Sequence, residues 1–183
     1  NGITSFVAPE LLDFEENVVP PATGKGGDIT ITANQLLLSN GGQIDASTFG
    51  DGIAGNITLD VNELSLTGLS DVLADGTQIP SRILSSSETD LAAGSIKIIG
   101  DRLTVRDGSE INVSSLDSGD AGNLMLNIDT MHLDDGGRLL AMVNGGSQGN
   151  IGITARTRLT LRRGSSITAT ANGRSTGGNI NIV

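Results

Sequence analysis

The sequence contains no cysteine, tryptophan or tyrosine, only four prolines and one histidine, and its only aromatic rings are Phe6, Phe14 and Phe49. Without cysteine no disulfide staples the fold, and the redox compartment stays open. With three rings in 183 residues the core cannot be built around large aromatics. The apolar 37% is nearly all aliphatic, so the interior must stack small and branched side chains in layers, which suits a narrow core. One histidine and no cysteine disfavour zinc. No run is long enough to span a bilayer, and no signal peptide is recognised. The last point carries little weight, because the chain starts and stops inside a repeating pattern, as a piece of a longer protein would.

Cations are scarce as well. The net charge of −10 argues against general nucleic-acid binding. Acids are missing altogether from one end. All 21 Asp and Glu lie at or before Asp135, with five bases (Lys25, Arg82, Lys97, Arg102, Arg106). Residues 136–183 carry only six bases (Arg138, Arg156, Arg158, Arg162, Arg163, Arg174). Glycine is plentiful at 26 residues but follows no triplet period, which excludes collagen.

What is present is a repeat, and repeats are sought before motifs. Gly27-Asp28-Ile29 returns as Gly55-Asn56-Ile57, Gly94-Ser95-Ile96, Gly122-Asn123-Leu124, Gly149-Asn150-Ile151 and Gly178-Asn179-Ile180, at spacings of 28, 39, 28, 27 and 29 residues. Each copy opens a unit with three short runs alternating at period two, the pattern of half-buried strands. In the first unit these are Ile29-Thr30-Ile31, Leu36-Leu37-Leu38 and Ile44-Asp45-Ala46-Ser47. The second run recurs from Leu64, Leu103, Met131 and Leu159, the third from Ile83, Ile111, Leu139 and Ile167. Gly41, Gly108, Gly136 and Gly164 fall three residues after the second run, where a tight corner needs positive φ.

Two units depart from this ruler. Leu66 to Ile83 is 17 residues where the other units take six, so 11 extra residues lie within Gly68–Pro80. They read as a loop leaving one corner, with Ser70 placed to cap a helical turn. In the fourth unit Leu139 to Ile151 is 12 and Ile151 to Leu159 is eight, against 13 and seven elsewhere. Ile151 and Ile153 are kept inward, with a local bulge expected there. Residues 1–25 read as an irregular segment leading into the repeats. Gly2-Ile3-Thr4-Ser5 has the look of the end of a preceding unit, Pro9–Glu16 of a helical turn, and Pro20-Pro21 stops regular structure.

Strands this short cannot stand alone, but equivalent strands of successive units can stack and bury their apolar faces together. The expected fold is all-β: a right-handed, single-stranded parallel β-helix over residues 26–183, a solenoid of about five rungs of ~28 residues with three strands each and a corner insertion near 68–80. The Asn residues at the rung starts (Asn56, Asn123, Asn150, Asn179) are expected to stack in a hydrogen-bonded ladder, with Asp28 and Ser95 taking part only partly.

The unit Gly-Gly/Asn-x-Ile-x-Ile-x-Ala, Leu-x-Leu-x-x-Gly-Gly-x-Ile-x-Ala-Ser-x-x-Gly-x-Gly-x-Ala-Gly-Asn, nearly complete over Gly26–Ile57, resembles the repeats of filamentous-haemagglutinin-like exoproteins, with the closest likeness to the large cyanobacterial ones. The resemblance covers residues 26–183 and implies a β-helical shaft in a secreted, cell-surface adhesin of the two-partner pathway. The Asn-Pro-Asn-Leu-type secretion signature of that family does not occur in this sequence, so the secretion route is implied by the resemblance only. No catalytic residue comes with it.

The residues speak against other chemistries. His132 lies between inward Met131 and Leu133 and is read as solvated. The acidic turns Asp117-Ser118-Gly119-Asp120 and Asp51-Gly52 lack the tandem Gly-Gly-x-Gly-x-Asp of a calcium β-roll. A carbohydrate-active β-helix would place acids and bases on one outer face. The outward third-run row is Asp45, Leu84, Asn112, Leu140 and Thr168, and Asp134, Asp135 and Arg138 cluster at one corner without counterparts. The outward rows Thr30, Thr58, Lys97, Met125, Gly152 and Leu37, Ser65, Thr104, His132, Thr160 are too irregular for ice binding. Leu37, Leu84 and Leu140 are expected to face outward as contact points.

The expectation is therefore a non-enzymatic structural or adhesive segment, extracellular or at the cell surface, presenting Val7–Ala22 and Gly68–Pro80 as side loops. A glycan- or protein-binding module is the alternative, and a carbohydrate-active enzyme the third. No catalytic, cofactor or metal residue is assigned. Expected partners are a second copy or neighbouring rungs of a longer chain end to end, a glycan or a cell-surface ligand, with no nucleic acid and no membrane span.

Overall fold

The computed structural model describes residues 2–5, 11–12, 18–19, 22–147 and 149–183. It is a parallel β-solenoid of about five turns, all-β, with no helix among the described residues. The strands are β1 (Gly2–Thr4), β2 (Leu11–Leu12), β3 (Val18–Val19), β4 (Ile29–Ser39), β5 (Gln43–Asp45), β6 (Ile57–Thr67), β7 (Arg82–Leu84), β8 (Ile96–Arg106), β9 (Glu110–Asn112), β10 (Leu124–Leu133), β11 (Arg138–Val143), β12 (Ile151–Leu161), β13 (Ser166–Ala171) and β14 (Ile180–Ile182).

The first and second runs of the first five units form unbroken long strands, β4, β6, β8, β10 and β12, which make one sheet with the three-residue β14. The third runs make a sheet of short strands in the order β1, β5, β7, β9, β11, β13. Each long strand bends where two successive residues point outward. In β6, Ile57, Leu59 and Val61 are buried, Asn62 and Glu63 are exposed, and burial resumes at Leu64 and Leu66. That double outward step rotates the strand from one wall of the solenoid to the next without breaking its ladder.

Register follows the apolar pattern. Ile29 pairs with Ile57, Ile57 with Ile96, Ile96 with Leu124, Leu124 with Ile151 and Ile151 with Ile180. On the other wall Ile44, Ile83, Ile111, Leu139 and Ile167 form the matching column. A one-residue slip would turn each apolar set outward, so these columns hold every rung in phase. The core is a stack of aliphatics, with Ile57, Leu64, Ile83, Leu103, Ile111 and Leu124 among those almost wholly buried.

Gly2–Thr4 occupies the third-run position of a preceding turn, pairing in parallel with Gln43–Asp45. The helical turn expected over Pro9–Glu16 is not what the described part shows. Leu11–Leu12 pair antiparallel with Val18–Val19, so extended pairing of two apolar doublets overrides the helix-start signals, and the rest of that stretch lies outside the described residues.

The Gly in four of the rung markers has a steric origin in the backbone of the turn before. A Cβ on Gly55 would overlap the carbonyl oxygen of Gly27, one on Gly94 that of Gly55, one on Gly122 that of Gly94, and one on Gly178 that of Gly149. Successive rungs touch backbone to backbone there, and no side chain fits between them. The second-run corners need glycine for a different reason. Asn40-Gly41, Asp107-Gly108, Asp135-Gly136 and Arg163-Gly164 all have positive φ at both residues, and each turn closes by a bond such as Ser109 N–H to Arg106 O at 3.1 Å. This is the paired left-handed geometry of a type I′ turn.

The insertion is a β-hairpin. Leu69 and Pro80 bridge antiparallel, Ser70 N–H donates to Ile79 O at 2.8 Å, and Leu73 N–H donates to Thr77 O at 2.8 Å. Ser70 caps no helix: its hydroxyl accepts Ile79 N–H at 2.9 Å and donates to Asp71 O at 2.8 Å, clamping the hairpin's stem. The fourth-unit slip is absorbed within β12. Ile128 pairs with Ala155 but Thr130 with Arg158, so the bulge sits at Arg156-Thr157, on the bend, while Ile151 and Ile153 stay buried. The bend is already turned outward, so an extra residue costs least there.

Candidate functional site: the outer face of the short-strand sheet

Four polar ladders run along the outside of the solenoid. At the rung markers a side-chain oxygen of one turn accepts the backbone N–H of the next: Asn56 N–H to Asp28 Oδ1 (2.7 Å), Ser95 N–H to Asn56 Oδ1 (3.0 Å), Asn123 N–H to Ser95 Oγ (3.1 Å), Asn150 N–H to Asn123 Oδ1 (3.3 Å) and Asn179 N–H to Asn150 Oδ1 (2.9 Å). Asp28 and Ser95 are full members, not partial ones. The ladder requires only an acceptor at this position, and a carboxylate or a hydroxyl serves. The Asn56 N–H and the Lys25 ammonium hold the Asp28 carboxyl below its ordinary range.

The second ladder follows the bend of the long strands, where Gln35 donates to Glu63 (3.0 Å), Arg102 to Glu63 (3.0 Å), and Arg156 to Asp129 and Asn127. The third is at the turns after the second run. Arg162 and Arg163 both reach Asp134 Oδ2, at 3.0 and 2.7 Å. Burial pushes the Asp134 carboxyl up, but the two guanidinium groups outweigh it and leave the group below its ordinary value. Asp134 therefore does not join Arg138, which pairs instead with Glu110 at 3.2 Å.

These pairs share a direction: each carboxylate is on an earlier turn and its arginine on a later one. Four of the six bases in residues 136–183 (Arg138, Arg156, Arg162, Arg163) face acids of the turn before. Most of the basic end's charge thus meets acids of the turn before it, while the acidic excess of the earlier turns remains.

The fourth ladder lines a groove on the outer face of the short-strand sheet. Its floor is the row Asp45, Leu84, Asn112, in register on consecutive turns. Arg82 and Glu110 border one side, and Phe49, Glu88 and Leu116, from the loops after the third run, border the other. Leu84 faces outward as its alternation requires, yet it is only 6% exposed, because the flanking side chains rise around it. It is a groove floor and not an exposed contact point. Leu37, by contrast, is 63% exposed.

Polar groups in the groove are held by their neighbours. Asp45 Oδ1 accepts Ser47 N–H and Asn112 Oδ1 accepts Ser114 N–H, both at 2.9 Å. Both Nε and Nη2 of Arg82 donate to Gln43 Oε1, at 3.1 and 3.0 Å, and the Ser47 and Ser86 hydroxyls meet at 2.9 Å. Sequence reasoning placed Asp45, Leu84 and Asn112 in one row but missed the wall. Phe49, Glu88 and Leu116 each lie five residues after Ile44, Ile83 and Ile111, so the same ruler extended one step further would have found them.

His132 is half-buried between the fully buried Met131 and Leu133, next to Thr104, Arg106 and Asp134. Among the described residues no three His, Asp or Glu side chains are grouped as a metal site, and no helix is long and apolar enough to cross a membrane.

Fold and surface together define a parallel β-solenoid with a groove on its short-strand face and a hairpin inserted at one corner. Comparison with protein-family models, with curated proteins and with solved structures finds no match to this chain.

Proposed function

We propose that the chain is a non-enzymatic, structural and adhesive segment of a secreted surface exoprotein, extending a shaft and presenting side loops. The observation that supports this most is the in-phase inward columns of the two six-stranded sheets, kept through the β12 bulge and the corner insertion. A solenoid whose turns contact only their neighbours lengthens by addition, and a hairpin on its corner is presented without disturbing it. The resemblance of the repeats to filamentous-haemagglutinin-like exoproteins points the same way. Antibody raised against this chain should label the surface of intact source cells in electron micrographs. Labelling confined to permeabilised cells would sink the reading.

Continuation of the shaft is part of the proposal. Leu161, Ile180 and Ile182 are exposed beside the last strands, and a sheet edge of this kind invites a further turn, from a longer chain or from a second copy. Light scattering across a concentration series at low and high salt separates the two: growth in mass with concentration signals a second copy, and a constant monomer mass rejects it.

The groove supports a second reading, a binding module for glycan or protein. It is concave and carries an apolar floor residue among fixed polar groups, features ordinary to ligand sites.

A further inference from the structure

We infer that the groove of the short-strand face binds a neutral, hydroxyl-rich polysaccharide chain lying along the solenoid axis. This deepens the second reading above and rests on it.

Three properties of the groove select the ligand. The first is its direction. Asp45, Leu84 and Asn112 stand on consecutive turns, so the row runs along the axis. Its two polar members are two rung spacings apart, about 10 Å, the span of a disaccharide unit. An elongated ligand with a short repeat fits such a row.

The second is the state of the polar groups. One oxygen of Asp45 and the carbonyl oxygen of Asn112 are tied to backbone N–H groups two residues on. That fixes both side chains while the second Asp45 oxygen and the Asn112 carboxamide N–H₂ have no partner among the described residues. Glu88 at the wall also has none. The Asp45 oxygen and the Asn112 N–H₂ are a preorganised acceptor and donor, which lose little freedom on binding, and Glu88 adds an exposed acceptor at the wall. Hydroxyls, which both donate and accept, satisfy such a mixture. A peptide strand does not, because this is a sheet face: the ladder N–H and C=O groups are already used between turns, and none is offered to an added strand.

The third is charge. Asp45, Glu88 and Glu110 border the groove; Glu110 is paired with Arg138 of the next turn and the Arg82 guanidinium is turned to Gln43, so Asp45 and Glu88 are the charges left facing it. An anionic polymer such as a uronan or a sulfated glycan meets net repulsion here. A neutral glycan does not, and it can lay an apolar sugar face over Leu84 between Phe49 and Leu116.

The test is affinity gel electrophoresis and calorimetry of the whole chain against neutral β- and α-glucans, galactomannan and xylan, with alginate and heparin as anionic probes. The expected result is retardation by at least one neutral polysaccharide and by neither anionic one. Leu84→Arg, which fills the floor, should abolish binding, and Asn112→Ala should weaken it about tenfold. Removal of the Gly68–Pro80 hairpin should leave it unchanged. Circular dichroism and melting of each variant establish that it is folded. Should Leu84→Arg not fold, Glu88→Gln with Asn112→Ala must still lower affinity. Binding to no neutral glycan, preference for an anionic one, or binding indifferent to these variants overturns the inference. Beads coated with the chain provide the separate readout: adhesion to source cells that survives loss of glycan binding leaves the adhesive reading standing and removes only the groove's role.

Discussion

The same corner of the solenoid is built in two ways. Between Arg106 and Ser109 it is closed by two residues, Asp107-Gly108, both at positive φ. Between Thr67 and Ser81 it is closed by 13 residues folded as a hairpin. The strands on either side pair identically. Leu66 still meets Leu38 and Val105, and Ile83 still meets Ile44 and Ile111. The comparison shows where the information that sets the turn resides: in the columns of inward aliphatics and the close rung-to-rung contacts, and not in the corner. Substitutions should therefore be costly in the stack, moderate in the tight corner and nearly neutral in the hairpin.

The largest effect is expected at Gly122. A Cβ there would sit on the Gly94 carbonyl oxygen, and backbone on both sides must move to admit it. Gly122→Ala should destabilise by about 3 kcal/mol, the upper part of the range for overpacking, read as a lowered denaturant midpoint. A midpoint like that of the parent would show that the rungs are not in close contact at the markers, and the stack would lose its claim to set the turn.

Next comes the tight corner. Gly108 has φ of 75°, and its nearest neighbour is the flexible end of Leu69. Gly108→Ala therefore meets a conformational cost and little clash, about 1 kcal/mol. A loss as large as that of Gly122→Ala would mean that the corner directs the fold as strongly as the stack does.

This division also explains what was legible in the sequence. The alternation of Ile, Leu and Val at period two with a step near 28 residues determines which residues face inward, and from that the columns follow. The bend at Asn62-Glu63 was less visible, because two outward residues between Val61 and Leu64 read as a gap between strands when they are one continuous strand turning a corner. Ser70 was misread because a serine before acidic residues resembles a helix cap, whereas Leu69 and Pro80 at the feet of the insertion close it as a hairpin. The groove wall was missed because Phe49, Glu88 and Leu116 share a position and no chemistry. The cover over Leu84 comes from neighbouring turns, and periodicity within one strand cannot report it.

A smaller effect is expected at the electrostatic corner, where Asp134 holds Arg162 and Arg163 of the following turn. The folded-state pKa of Asp134 is lowered, so the charged carboxylate favours the folded state above the unfolded value, near 4. That contribution disappears as the pH falls through the lower folded-state value. Asp134→Asn should thus melt slightly below the parent at pH 7, and the gap should close toward pH 2. High salt should narrow it at neutral pH, since both arginines are more than half exposed. A gap that persists unchanged in acid would assign the loss to packing of the carboxyl and not to its charge.

The smallest effect on stability is expected from the largest change in the chain: replacing Gly68–Pro80 by Asp-Gly, the pair that closes the corner one turn later. The hairpin's apolar residues are spent on the outside. Val72 is 64% exposed and Leu73 and Leu69 are also exposed, so its removal takes little buried area from the core. Shortening a loop also lowers the entropy lost on closing it, by about 1.7 kcal/mol for this change in length. Two bonds at the feet of the insertion survive its removal. Gly41 N–H donates to Ser81 Oγ at 3.1 Å, and Thr67 Oγ1 donates to Asp107 Oδ2 at 2.5 Å; both Thr67 and Ser81 are kept in the shortened chain. The shortened protein should melt within a few degrees of the parent with the same β-sheet spectrum, while beads coated with it lose adhesion if the hairpin is the presented element. A collapse of the melting temperature would reverse the comparison: the insertion would then be a clamp that the stack requires, and its conspicuous position would reflect folding and not display.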